Sequence, residues 1–109
     1  MASLPENPLG AIEGFEWDPG NADKNWANHS VRQAEAEQVI MHRPLVYPDV
    51  KHSEQEARFL ALGETSAGKL LTVAFTKRGP RVRVISARPM SRAERKTYAN
   101  AQDQVEADS

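Results

Sequence analysis

The residues with most chemical potential lie between Lys69 and Lys96. That stretch holds nine Lys and Arg (Lys69, Lys77, Arg78, Arg81, Arg83, Arg88, Arg92, Arg95 and Lys96) against one acid, Glu94. Residues 1–68 hold five basic and eleven acidic side chains, and the tail from 97 holds three acids and no base. A formal net charge of −1 therefore hides a segment at +8. Concentrated positive charge suits a polyanion, because neutralising phosphates releases counterions. The alternative is that these side chains are only the solvated faces of a hairpin and a helix.

Within Arg81–Arg88 (RVRVISAR) strict alternation puts Val82, Val84 and Ser86 on one face and Arg81, Arg83, Ile85 and Ala87 on the other. Arg81 and Arg83 are then about 7 Å apart. That is close to the spacing of adjacent phosphates on a nucleic-acid strand, and guanidinium forks match phosphate oxygens. Lys77 and Arg78 end the preceding run beside Arg81. Cleaving a phosphodiester without a metal needs a base for the 2′-hydroxyl, cations for the phosphorane and an acid for the leaving oxygen. Arg58, Arg78, Arg83 and Arg88 are the candidate cations. Glu94, Tyr98 and His29 are the candidate proton carriers, and Glu94 and Tyr98, four apart, share a helix face. Lys77, Arg81, Arg92 and Arg95 are candidates for contacts along the RNA. Each has a plainer reading: Glu94 as capping partner of Ser91, Tyr98 as an amphipathic surface residue, His29 as a helix C-terminal residue, Arg58 as ion-pair partner of Glu54 or Glu56. Trp17 and Trp26 read as core.

The elements that must hold these residues are legible in outline. Residues 1–13 read as a flexible extension, 14–99 as a single domain and 100–109 as a polar tail. Phe15–Trp17 has the alternation of a short strand. Asp18-Pro19 starts a helix expected to reach about Asn28. Ser30 and Gln33 have capping-box spacing for a second helix ending before Pro44, with Val31, Ala34, Val39 and Met41 as its apolar stripe. From Leu45 the period becomes two. Strands are expected at 45–47, 57–63, 69–77 and 81–88, with a polar loop over 48–56 and a hairpin closed by Arg78-Gly79-Pro80. Ser91 and Glu94 open a final helix. The layout is α+β: two N-terminal helices and a C-terminal helix on an antiparallel sheet of about four strands.

Composition narrows the remaining classes. A chain of 109 residues allows one modest core, and 39% hydrophobic with 27% charged residues is ordinary for a globular domain. No run approaches a membrane span, and Met1–Pro8 lacks the basic start and apolar run of a secretory signal. There is no cysteine, which removes disulfides and thiolate metal ligands and fits a cytoplasmic protein. His29, His42 and His52 fall at no standard ligand spacing, so neither a metal nor another cofactor is expected. Phosphate-cradling glycine loops and a serine nucleophile elbow are both missing.

Taken in order, several of these segments resemble the BrnT-type toxins, a group within the RelE-like superfamily. Phe15-Glu16-Trp17-Asp18, Asn25 and Asn28-His29-Ser30-Val31 are similar to the family's F-x-W-D opening and its N and K-H-G-V. Ser53-Glu54, Arg58-Phe59 and Leu62-Gly63 resemble its S-E…R…G segment. Phe75-Thr76-Lys77-Arg78 is similar to Y-T-x-R, Arg81–Arg88 to R-x-R-I-I-S-A-R, and Glu94 with Tyr98 to the closing E-x-x-x-Y. The similarity spans about residues 15–98. Asn28 and Ser30 stand where the family has lysine and glycine, and Ile40-Met41 where it has V-F. The resemblance implies a RelE-like fold and RNA cleavage with or without the ribosome, inhibiting translation. It further implies a BrnA-type ribbon-helix-helix antitoxin that neutralises the toxin, joins it in an assembly up to a heterotetramer, and represses the shared operon with it. Without that resemblance, a nucleic-acid- or antitoxin-binding protein with no catalysis remains the alternative.

Overall fold

A computed structural model describes residues 9–18, 20, 24 and 29–108, with side chains described as far as 103. The elements are β1 (Gly14–Trp17), α1 (Gln33–Met41), β2 (Leu45–Pro48), a 3-10 turn (Val50–His52), β3 (Arg58–Glu64), β4 (Leu70–Arg78), β5 (Arg81–Pro89) and α2 (Arg92–Asp108). The five strands form one sheet in the order β1-β5-β4-β3-β2. Neighbours pair antiparallel except β1, which runs parallel to β5. The sheet is therefore mixed and five-stranded, not a four-stranded antiparallel one. Adjacent hairpins account for β2 to β5, whereas a parallel neighbour is reached only through a long crossover that local pattern does not reveal. Two helices lie among the described residues. The helix expected over Pro19–Asn28, Trp26 included, falls almost wholly outside them.

One sheet face carries the core. Phe75, Val73, Val82, Val84 and Ala87 are fully buried there against Ala36, Val39 and Ile40 of α1. The buried positions of α1 follow the i, i+3, i+4 spacing of one helix side; Ala34 and Met41, expected in the stripe, are exposed. The helix also starts later than expected. Arg32 donates its backbone N–H to Glu35 (2.9 Å), so Glu35 rather than Gln33 reaches back to cap it, while Ser30 sits at φ 55°. Gly63 of β3 faces Val39 so closely that a Cβ would lie 2.8 Å from Val39 Cγ1, which only glycine allows. Gly79, at φ 61°, takes the left-handed conformation that the two-residue turn between Arg78 and Arg81 requires.

Leu9 is 3% exposed and belongs to the core, Ile12 packs against it, and Glu13 donates its N–H to Pro80 O (2.8 Å). The folded body thus begins before residue 14. At the other end α2 continues to Asp108 instead of giving way to a tail at 100. No glycine or proline interrupts it, and alanine and glutamine favour the helix.

Between Ala74 and Phe75 of β4 the register on β5 shifts: Phe75 pairs with Val84 but Ala74 with Ser86, leaving Ile85 as an extra residue. A bulge of this kind reverses which face each later side chain takes. Before it, Val82 and Val84 point into the core; after it, Ala87 does, at 0% exposure. Strict alternation alone puts Ala87 with the arginines and Ser86 with the core valines. The bulge instead brings Ser86 and Arg88 onto the same face as Arg81 and Arg83.

Candidate active site

The face opposite the core is assembled row by row. Pairing sets Arg78 beside Arg81, Arg58 beside Thr76 beside Arg83 beside Glu16, Tyr47 beside Leu60 beside Ala74 beside Ser86, and Leu45 beside Leu62 beside Thr72 beside Arg88. The last row is roofed by α2. Leu62 and Thr72 are buried there, 0% and 1% exposed, although they point away from the main core. The other rows stay open toward solvent as a shelf. Five arginines of the sequence prediction (Arg58, Arg78, Arg81, Arg83 and Arg88) therefore share one face.

Four of the five are tethered. Arg88 forms a two-pronged pair with Glu94, Nη1 to Oε1 at 2.6 Å and Nη2 to Oε2 at 2.9 Å. Arg83 donates through Nη2 to Asp18 Oδ2. Arg78 pairs with Glu56 (3.3 Å), and Arg81 lies 3.9 Å from Glu16. Arg58 is the exception. Neither Glu54 nor Glu56 takes it among the described residues, since Glu56 is committed to Arg78. Arg58, half-buried, is the cross-strand partner of Thr76, 1% exposed, whose buried hydroxyl has no partner among the described residues. A guanidinium with no anion on it is free to take a phosphate.

Glu94 is fixed from two sides. Ser91 N–H donates to its Oε1 (2.8 Å) while Glu94 N–H donates to Ser91 Oγ (3.1 Å), so the capping box is present and coexists with the Arg88 pair. The Arg88 guanidinium above all, then the Ser91 N–H, hold this carboxyl down to about 2 against the cost of burial. Such a carboxylate positions an arginine well but accepts a proton poorly at neutral pH. Glu94 is thus badly suited to the proton-carrier role read from sequence. Tyr98 turns toward a different groove, lined with Pro44, Leu45 and Ala101. His29 is exposed, and the next residue, Ser30, accepts from Lys69 Nζ (3.2 Å) and lines a cleft with Thr65 of the β3–β4 turn and Glu35 and Gln38 of α1. That is the far end of the molecule from the Arg58–Arg83 row, on the core side of the sheet.

Lys77 also departs from expectation. It pairs with Val82 on the core-side face, and its Nζ donates to the backbone carbonyl of Leu9 and more distantly to that of Ala11 (3.5 Å), fastening the N-terminal segment. Arg92 and Arg95 are exposed on α2, flanking the inward line of Glu94 and Tyr98.

Two contributors escaped the sequence reading. Tyr47 points onto the shelf from β2; burial pushes its phenol up, the nearby Glu94 adding and Arg88 opposing, with Asp49 adding further. It therefore stays a hydrogen-bond donor. Asp18, read as a helix cap, is the anion that orients Arg83. Among the described residues no three His, Cys, Asp or Glu side chains are grouped to hold a metal ion, and no helix is long and apolar enough to cross a membrane.

Comparison with known proteins gives this geometry a family. No curated protein matches the chain. Among solved structures, the 1.1 Å crystal structure of the Brucella abortus ribonuclease toxin BrnT is similar, at 26% sequence identity and a TM-score of 0.57, over 72% of this chain and 97% of that one. Residues 17–94, from the tryptophan that ends β1 to the carboxylate that anchors Arg88, match the family of BrnT ribonuclease toxins of type II toxin–antitoxin systems, and the chain belongs to that family.

Proposed function

We propose that the shelf is the active site of a metal-independent endoribonuclease that cleaves RNA by attack of a 2′-hydroxyl and so blocks translation in the cytoplasm. The observation carrying this reading is the convergence of Arg58, Arg78, Arg81, Arg83 and Arg88 on one open face, which depends on the single extra residue at Ile85. Arg58 holds the scissile phosphate; Arg83, aligned by Asp18, and Arg88, aligned by Glu94, stabilise the charge of the phosphorane. Paired arginines keep their forks oriented before substrate arrives, so little reorganisation accompanies the reaction. Arg78 and Arg81 extend the cationic track to the hairpin tip, and Arg92 and Arg95 border it on α2. The Tyr47 O–H lies on the same shelf as a donor to the bound strand. Family membership supports an antitoxin partner. We take it to be a BrnA-type ribbon-helix-helix protein that covers the shelf with acidic side chains and completes a heterotetramer.

Arg58→Ala and Arg83→Ala test this reading. Each is expected to slow RNA cleavage at least about 100-fold and to relieve growth arrest, with the far-ultraviolet circular dichroism unchanged. If both variants cleave like the parent, the shelf is not the active site.

A further inference from the structure

Glu94 is committed to Arg88 and Tyr98 faces a different groove, whereas an imidazole stands at the edge of the shelf. Asp49 precedes the 3-10 turn and His52 is its last residue, and His52 Nδ1 lies 3.0 Å from Asp49 Oδ2. An ionised carboxylate only accepts, so Nδ1–H donates, and in the neutral ring the lone pair then sits on Nε2. This is the arrangement in which a carboxylate selects the tautomer and aims of a histidine base. The turn that carries the pair is fixed to β3. Asp49 N–H donates to Arg58 O (2.8 Å), Ser53 Oγ–H donates to Asp49 O (2.7 Å), and Arg58 N–H donates to Ser53 Oγ (3.0 Å). His52 keeps 56% of its side chain exposed. It lines one open cleft of 420 Å³ with Arg58, and with Lys51, Glu54 and Glu56 as the other charged groups. Glu56 in turn holds Arg78 (3.3 Å), and Asp49 also faces Tyr47.

From this juxtaposition of an Asp49-oriented imidazole with the uncommitted Arg58, we propose that His52 is the general base of the cleavage reaction and Asp49 its positioning residue. The inference rests on the ribonuclease reading above. His52 Nε2 takes the proton of the 2′-hydroxyl as the 2′-oxygen bonds to the phosphorus held by Arg58. The bond from phosphorus to the 5′-oxygen breaks with its electron pair on that oxygen, which takes a proton from water. The products are a 2′,3′-cyclic phosphate and a free 5′-hydroxyl, with His52 left protonated until it returns its proton to solvent.

The test uses the full chain, a labelled single-stranded RNA and EDTA, with single-turnover rates measured from pH 5 to 9 and RNA affinity measured alongside. His52→Gln should lower the rate about 100- to 10,000-fold with RNA affinity within twofold, and should flatten the acidic limb of the pH profile. Added imidazole should restore part of the rate to His52→Ala, which a merely structural role would not allow. Asp49→Ala should lose at least about tenfold, and Asp49→Asn should recover part of that because its carbonyl still accepts from Nδ1–H. A parent that cleaves while His52→Gln stays within threefold of it overturns the assignment and leaves the ribonuclease reading standing. A parent that binds RNA but never cleaves it overturns both.

Discussion

Replacing Glu94 by glutamine separates the two roles that its position allows. The isosteric amide keeps an oxygen to accept from Ser91 N–H, so the helix cap survives, but the charge facing Arg88 is lost. The carboxyl is held at about 2 against an ordinary 4.5. That gap corresponds to at most about 3 kcal/mol. The Arg88 side chain is 39% exposed, so solvent screens the pair, and about 1.5 kcal/mol is the expected loss near neutrality. Because the folded-state value lies below the unfolded one, this contribution is complete above about pH 5.5 and drains away as pH falls through 4.5 toward 2. Urea unfolding of parent and Glu94→Gln should differ by about 1.5 kcal/mol at pH 7 and converge near pH 2. In cleavage assays the variant should lose less than about tenfold and keep the parent's pH profile, because an anchor rather than a base has been removed. A stability gap that does not change with pH, or a profile stripped of its acidic limb, would refute the reasoning.

Other outcomes follow from the same contacts. Gly63→Ala drives a methyl to 2.8 Å from Val39 Cγ1 and should destabilise by about 1–3 kcal/mol in urea unfolding, with Val39→Ala restoring part in the double variant. Lys77→Met should leave the salt dependence of RNA binding unchanged while lowering stability by about 1 kcal/mol, because the ammonium serves the Leu9 carbonyl and not the shelf. Arg81→Ala should instead leave stability within about 0.5 kcal/mol and reduce the slope of log affinity against log salt by about 0.7. Deleting Ile85 removes the bulge, turns Arg88 toward the core, and should abolish cleavage with a lowered melting temperature.

The strands from Leu45 to Pro89, the Gly79 hairpin and the Ser91–Glu94 cap were legible because each is written in neighbouring residues. The parallel pairing of β1 with β5 was not, since it joins residues more than sixty apart with no local mark. The bulge left a trace that strict alternation overrode: Arg81 and Arg83 are odd-numbered and Arg88 even, so one face can hold all three only if the strand gains a residue. Lys77 carried a similar sign, for it shares the parity of Phe75 and so belongs to the core side. Asp49 and His52, three apart in a stretch read as loop, became a pair only once a 3-10 turn stacked them. Glu94 shows the limit of motif reading. Its spacing from Ser91 marks the cap correctly, but only the Arg88 geometry reveals that its carboxylate is already engaged.

The measurement that bears most directly on the central claim is incubation of the purified full chain with an end-labelled RNA in EDTA, followed by analysis of the new termini. The account predicts discrete fragments ending in 2′,3′-cyclic phosphate and 5′-hydroxyl groups, formed by the parent and lost in Arg58→Ala. Intact RNA under EDTA with cleavage restored by a divalent cation, or fragments bearing 5′-phosphates, would contradict it.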